Sequence, residues 1–274
     1  MIRLDMGTLF FLYGLPNSGK TVVLNLLKRI LGREWCSSLS FSQMSNEFAI
    51  TQLLGKRLNL SGEVSGASNK RLDIFKSLTG NDTITACFKG KDHFQFRNES
   101  ILVFACNSFP EISSLEEFDS FLTRIIIFPF FNVKPQNEWI DNLDEVLLDD
   151  ACTIISEAIR GLHELEEDGN CFKESRAMKE CKQDFIGQYN SFALFADEFI
   201  VQSLKSKITS DDIRKNYFTF CEERGYVALP DNVWSQYLKQ KFVCAAKTLE
   251  VLENGQKFRR RGYQGIKLIH KNEV

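Results

Sequence analysis

The chain has 274 residues, 43% hydrophobic and 26% charged, with a formal net charge of −2. That length holds one large or two modest domains with real cores, and the near-neutral balance excludes a chain that coats nucleic acid with its whole surface. No apolar run approaches about 18 residues, and the start lacks the basic segment and small-residue cleavage site of a secretory signal, so no membrane partner and a cytoplasmic setting are expected. The 8 cysteines stand singly, with no CxxC pair or Cys/His ligand spacing, and read as buried free thiols of a reducing compartment.

In chain order, residues 8–13 read as a compact apolar strand, followed by a glycine-rich loop and a helix over residues 19–31. Leu24, Leu27 and Ile30/Leu31 supply that helix's buried stripe, and Gly32 ends it. A short helix over 46–54, a strand over 57–61 and a helix over 69–78 follow. Residues 83–88 and 93–96 flank Lys89-Gly90-Lys91-Asp92 as a β-hairpin, with Gly90 supplying the tight turn. The nearly continuous apolar runs 101–105 and 125–130 are expected in the middle of a sheet covered on both faces. Residues 138–188 are helical and charged, with an apolar face of Val146, Leu147, Ile154, Ile155, Ala158 and Leu162. Helices over 192–203, 210–223 and 231–242, then strands around 248–252 and 265–269, suggest a winged-helix domain. The expected organisation is an α/β P-loop domain over 1–133, a helical connector over 134–190 and a winged-helix domain over 191–274.

Gly14-Leu15-Pro16-Asn17-Ser18-Gly19-Lys20-Thr21 fits GxxxxGK[ST] between a strand and a helix. In such a loop, backbone N–H groups around Gly14, Asn17, Ser18 and Gly19 and the positive helix end cradle phosphates. Lys20 reaches the terminal phosphates and the Thr21 hydroxyl ligates magnesium. Three further residues have two readings each. Glu63, just past the strand at 57–61, either polarises the attacking water or is a solvated loop carboxylate. Asn107, directly after the strand ending at Cys106, either senses the γ-phosphate or caps the Ser108-Phe109-Pro110 turn. Arg124 either serves as an arginine finger for a neighbouring subunit's nucleotide or pairs with a surface carboxylate.

These motifs, in order, resemble the superfamily 3 helicases, specifically the helicase half of phage, plasmid and poxvirus-type primase-helicases. The matching segments are GLPNSGKT (14–21), GKRLNLSGE (55–63), FKSLTGNDTITACFKGKDHFQF (75–96), ILVFACNSFPEI (101–112) and FLTRIIIFPF (121–130). KxLTGxD before an apolar strand and hairpin is the most specific of them. The C-terminal stretch, with Tyr217-Phe218-Thr219-Phe220-Cys221 and Arg259-Arg260-Arg261-Gly262-Tyr263, resembles the winged-helix tail of the same proteins. The resemblance implies an AAA+-like ATPase that uses ATP and Mg2+, assembles as a homo-oligomeric ring, usually a hexamer, and tracks single-stranded DNA 3′ to 5′ during replication. It further implies that Lys20, Thr21, Glu63 and Asn107 act from one subunit and Arg124 from the next. The hairpin bearing Lys89, Lys91 and His93 would then point into the pore and grip DNA. Asp92 separates Lys91 from His93, and Ser61-Gly62 precede Glu63 where many members carry another polar or acidic residue. The chain opens almost at the first strand of the ATPase fold, without the primase domain or the helical region that usually precedes it, so the expectation is either a naturally short form or those parts on a separate chain. A virus, a mobile element or a prokaryotic host fits this family as source.

The basic stretch Arg259, Arg260 and Arg261 reads either as a second DNA contact on a wing between the last two strands, or as a solvated charged hairpin or a patch that docks against the acidic connector helices. A different class of answer is a non-catalytic DNA-binding or replisome-adaptor protein on the same fold.

Overall fold

The computed structural model describes residues 7–62, 73–110, 115–253 and 256–269. The chain divides into two compact units, Met1–Cys181 and Lys182–Val274.

The first unit runs β1 (Leu9–Gly14), α1 (Lys20–Leu31), β2 (Cys36–Ser37), β3 (Leu58–Ser61), α2 (Asp73–Thr79), β4 (Thr83–Cys87), β5 (His93–Arg97), β6 (Ile101–Cys106), α3 (Leu115–Leu122), β7 (Ile125–Phe130), α4 (Leu143–Asp149) and α5 (Ala151–Glu167). Five of these strands form one sheet in the order β2-β3-β6-β1-β7, every pair parallel. Parallel strands need covering on both faces, and β1 shows how this sequence meets that need. Phe11 joins a cluster of stacked and edge-on rings with Phe41, Phe104, Phe109 and Phe121. Leu12 points the other way, packing with Leu24 of α1, Leu60, Val103 and Ala105. Asn59, fully buried in β3, accepts from Ser37 Oγ and Leu39 N–H and donates to the Leu39 carbonyl, which ties the short edge strand β2 to the sheet. β4 and β5 form a separate antiparallel hairpin, as their alternating pattern around Gly90 predicts.

Several details differ from expectation. The strand over 125–130 lies at the sheet edge, not its middle. Pro129 has no N–H to give a further neighbour, and edge strands are where proline is tolerated. On α1 only Lys20 and Leu24 are buried, while Leu27 and Leu31 are exposed. Residues 46–54 form no α-helix: a 3-10 turn, Ala49–Leu53, lies there and buries Ile50 and Leu53, and another, Phe41–Ser45, precedes it and buries Phe41 and Met44. Neither α4 nor α5 buries a residue, so the apolar face anticipated on residues 146–162 is at most half-covered. Among the described residues no helix is long and apolar enough to cross a membrane. None of the eight cysteines forms a disulfide, but Cys152 and Cys171 are exposed and Cys244 is half-buried, so the expectation of burial holds for five.

The second unit contains the end of α6 (Arg176–Phe199), then β8 (Ile200–Thr209), α7 (Ser210–Arg224), α8 (Asp231–Lys241), β9 (Ala245–Glu253) and β10 (Gln256–Leu268). The three strands form an antiparallel sheet in the order β8-β10-β9. The expected helix over 192–203 therefore stops at Phe199, and its last residues begin β8. Residues 257–261 belong to β10 itself and do not link two strands. Thr209 caps α7 by accepting from Asp212 N–H, and Gly225, at φ 69°, ends it in the left-handed conformation that glycine adopts without strain. The core packs Phe192, Phe195, Ile213, Tyr217, Trp234 and Ile266. At its centre the Tyr217 hydroxyl lies 2.6 Å from Ser191 Oγ and accepts from Leu229 N–H at 2.8 Å, so this buried hydroxyl is satisfied.

Candidate functional site

The loop over residues 14–21 leaves the C-terminal end of β1, between β6 and β7. Three of its residues have positive φ: Gly14 (156°), Asn17 (60°) and Gly19 (91°). Gly14 is held closest. Any Cβ there would lie 1.9 Å from the Phe130 carbonyl oxygen, and that same oxygen accepts from Leu15 N–H at 3.0 Å. Strand β7 thus fixes the entry of the loop, and only a residue without a side chain fits the contact. Ser18 Oγ donates to the Leu15 carbonyl at 2.7 Å, closing the loop on itself.

At the loop's exit, α1 begins with no side-chain cap and no acidic residue in its first turn. Its first N–H groups lack intrahelical partners, and the helix dipole places partial positive charge there. This end is built for an anion. Lys20 is buried, and its ammonium donates to the carbonyls of Gly14 (3.0 Å) and Leu15 (2.5 Å) and to Ser18 Oγ (3.2 Å). Burial holds its pKa below the usual lysine value. The nearby Cys106 thiol, at the end of β6, is pushed up to about 12, mainly by desolvation, so it stays neutral beside the ammonium. Thr21 is exposed on the first turn of α1, where its hydroxyl is available to a metal held by phosphate. The uncapped helix end, the turned loop and the buried ammonium fit a nucleotide's phosphates, and Thr21 fits their magnesium.

The parallel sheet decides which other candidates can share this site. Asn107 follows β6, on the same edge as the loop and one strand away, and is exposed. Ser61 ends β3 on that edge as well, one strand beyond β6. Glu63 lies outside the described residues. Arg124 sits at the opposite edge: its carbonyl accepts from Leu9 N–H, at the start of β1. At about 3.3 Å per residue, the length of β1 separates it from the loop by roughly 17 Å, so one chain does not bring Arg124 and Lys20 together. Its guanidinium donates to the Ser120 carbonyl (2.5 Å), Ser120 Oγ (3.1 Å) and Thr123 Oγ1 (3.3 Å), covering the C-terminal end of α3. The surface carboxylate considered from the sequence is not the partner in those contacts.

On the β4–β5 hairpin, Lys89, Lys91 and His93 are all exposed, and His93 Nε2 lies 3.9 Å from a Glu47 carboxylate oxygen. In the second unit the register separates the arginines. Arg259 pairs with Glu250 and Arg261 with Thr248, whereas Arg260 pairs with Leu249. Alternation along a strand puts Lys257, Arg259 and Arg261 on one face and Arg260 on the other, where its guanidinium lies 5.6 Å from the Phe258 ring centroid.

Sequence reasoning missed two participants in the phosphate loop: the Phe130 carbonyl that binds Leu15 N–H, and Cys106 beside Lys20. Neither has a motif. The glycine opening the loop is the available signal for the first, since a residue without a side chain permits a close backbone neighbour.

A family described as of unknown function (DUF5906) matches residues 12–124. No curated protein matches the chain. Among solved structures, the apo NrS-1 C terminal region (305-718) is similar with a TM-score of 0.55 and 15% identity, over 93% of this chain and 67% of that one. The A form apo structure of the NrS-1 C terminal region gives a TM-score of 0.54 at 15% identity, over 96% of this chain and 68% of that one. Bacteroides Pif1 bound to ssDNA aligns with a TM-score of only 0.27 and 13% identity, over 98% and 82%, too low to support an argument. The likeness to the NrS-1 region establishes a shared fold.

Proposed function

We propose that this chain is the ATPase of a ring-forming replication helicase that moves on single-stranded DNA, 3′ to 5′. The proposal takes residues 1–133 as its ATPase domain, 134–190 as a helical connector and 191–274 as a winged-helix domain. The observation that carries it is the loop at the C-terminal end of β1: positive-φ backbone, an uncapped helix start and a buried lysine, with Asn107 directly after the adjacent strand. The superfamily 3 motif order supports the helicase reading over other P-loop enzymes, and the helix-strand-helix-helix-strand-strand order of the second unit supports a winged helix.

ATP supplies the phosphoanhydride that is cleaved. In the chain's share of the work, the N–H groups at the start of α1 and the Lys20 ammonium hold negative charge, and Lys20 exchanges its loop carbonyls for phosphate oxygens. Thr21 would hold magnesium, which would supply positive charge beside the phosphates, while Glu63 polarises the attacking water and Asn107 reaches the γ-phosphate or that water. Such catalysis is positioning and charge stabilisation more than covalent chemistry. Arg124, on the far edge of the sheet, acts on the nucleotide of a neighbouring copy.

DNA-stimulated ATP hydrolysis by the parent chain and by Glu63→Gln tests this reading. The parent turns over ATP, and the variant binds it with similar affinity but turns over at least about a hundredfold more slowly. Equal, background-level rates in both would instead favour a nucleotide-sensitive adaptor.

A further inference from the structure

The hairpin turn carries an exposed aromatic ring that the proposed ATPase does not use. Phe88, the residue after β4, keeps 43% of its surface accessible although it stands among cations. Phe94 backs it in a parallel stack, with ring centroids 5.0 Å apart and planes 15° from parallel. The Lys91 ammonium lies 5.8 Å from the Phe88 centroid, and Lys89 is exposed beside it. The turn is also braced from within. The Cys87 thiol donates to the Lys91 carbonyl at 3.0 Å, Lys91 N–H donates to the Phe88 carbonyl at 2.9 Å, and Gly90 takes φ 76°. An apolar ring this exposed gains nothing from water, yet the fold holds it in place with a second ring and a closed turn.

Lysines beside a stacked aromatic pair match one ligand chemistry: a polyanion whose monomers carry flat faces. We propose that Phe88 stacks on a nucleobase of single-stranded DNA while Lys89 and Lys91 neutralise the phosphates on either side. This rests on the reading of the hairpin as the DNA-gripping element and adds a base contact to it. Stacking is indifferent to sequence because every base has a π-face, and it operates only where bases are unpaired. A duplex hides its bases in the stack, so the hairpin discriminates by strandedness. The cation already near Phe88 prepares the site, since a strand arriving with its phosphates against Lys91 brings a base to the adjoining ring.

The test uses the full chain and two oligonucleotides of equal length, oligo-dT and the same backbone made of abasic residues, with affinities measured over a salt series. The parent is expected to bind oligo-dT about five- to a hundredfold more tightly than the abasic strand, as one stacked base provides. Phe88→Leu, which keeps apolar packing on Phe94, is expected to erase that preference with an unchanged salt slope, and Phe88→Trp to restore it. Neutralising Lys89 and Lys91 is expected to lower the slope of log affinity against log salt by about 1.4, at ~0.7 per single-strand phosphate, while leaving the base preference intact. No base preference in the parent, or a preference that survives Phe88→Leu, overturns the stacking proposal. If the lysine variant also keeps the parent's slope, the hairpin reading falls with it; a slope that drops while Phe88→Leu changes nothing leaves that reading standing alone.

Discussion

At the phosphate loop, an ammonium is buried near a thiol and held by two backbone carbonyls and the Ser18 hydroxyl, and two consequences follow. Gly14 faces the Phe130 carbonyl so closely that Gly14→Ala must displace either the loop or β7. Overpacking of this kind costs about 1–3 kcal/mol, and thermal unfolding should show a lower midpoint together with lost nucleotide binding. The second concerns pH. Burial pushes the Cys106 thiol up to about 12, above the ordinary thiol value, so the native state holds that proton more tightly than the unfolded state. Its contribution to stability is complete below about pH 8.5 and is lost as pH rises towards 12, at up to ~1.4 kcal/mol per pH unit. Tyr217, also raised to about 12 by burial, adds the same sign of effect in the second unit from about pH 10 upward. Urea denaturation from pH 7 to 11 should show a flat region followed by a decline, and Cys106→Ala should make the decline shallower. A decline of equal slope in the variant would mean that Cys106 is not a source of it.

Among the elements, β10 offers the sharpest division of roles. If its basic face contacts duplex phosphates, replacing Arg259 and Arg261 together with alanine should reduce the salt slope of duplex binding by about 1.8, at ~0.9 per phosphate. Arg260→Ala should change it far less, because Arg260 lies on the other face against Phe258. Equal effects from Arg260 and its neighbours would contradict the division. The sequence shows the cluster of arginines but not its sidedness, because their place in a long strand was hidden. Apart from Phe258, residues 257–261 are basic, and Gly262 and Gly265 interrupt the run, so only its last residues carry a strand pattern. The opposite error occurred at 192–203, where Phe192, Phe195, Ala196 and Phe199 keep helical spacing and drew Ile200–Ser203 in with them. By contrast β1, α1, β6, β7 and the β4–β5 hairpin were legible. Local chemistry determines those elements: continuous apolar runs, a glycine-lysine loop and a glycine turn. The neighbours that complete the phosphate loop were not legible, since Phe130 and Cys106 come from other strands and reach Gly14 and Lys20 only through sheet order.

For the whole molecule, the direction of the parallel strands decides what Arg124 can reach. The loop and Asn107 share one edge of the sheet and Arg124 occupies the other, so a shared nucleotide site needs two copies placed head to tail, the arrangement that closes into a ring. Arg124→Ala should therefore bind ATP normally and lose about a thousandfold or more in hydrolysis. Lys20→Ala should fail for a different reason. Mixed in equal amounts, the two inactive variants should recover activity at about a quarter of their interfaces, where an intact Arg124 faces an intact Lys20. No recovery from co-assembled variants would remove support for the shared site. Beneath all of this lies the claim that residues 14–21 hold a nucleotide's phosphates, and calorimetric titration of parent and Lys20→Ala with magnesium-ATP tests it most directly. The parent should bind, and the variant should lose roughly ten- to a hundredfold in affinity, the ~1.5–3 kcal/mol of hydrogen bonds to a charged group; equal affinity in the two proteins, or none in the parent, would contradict the account.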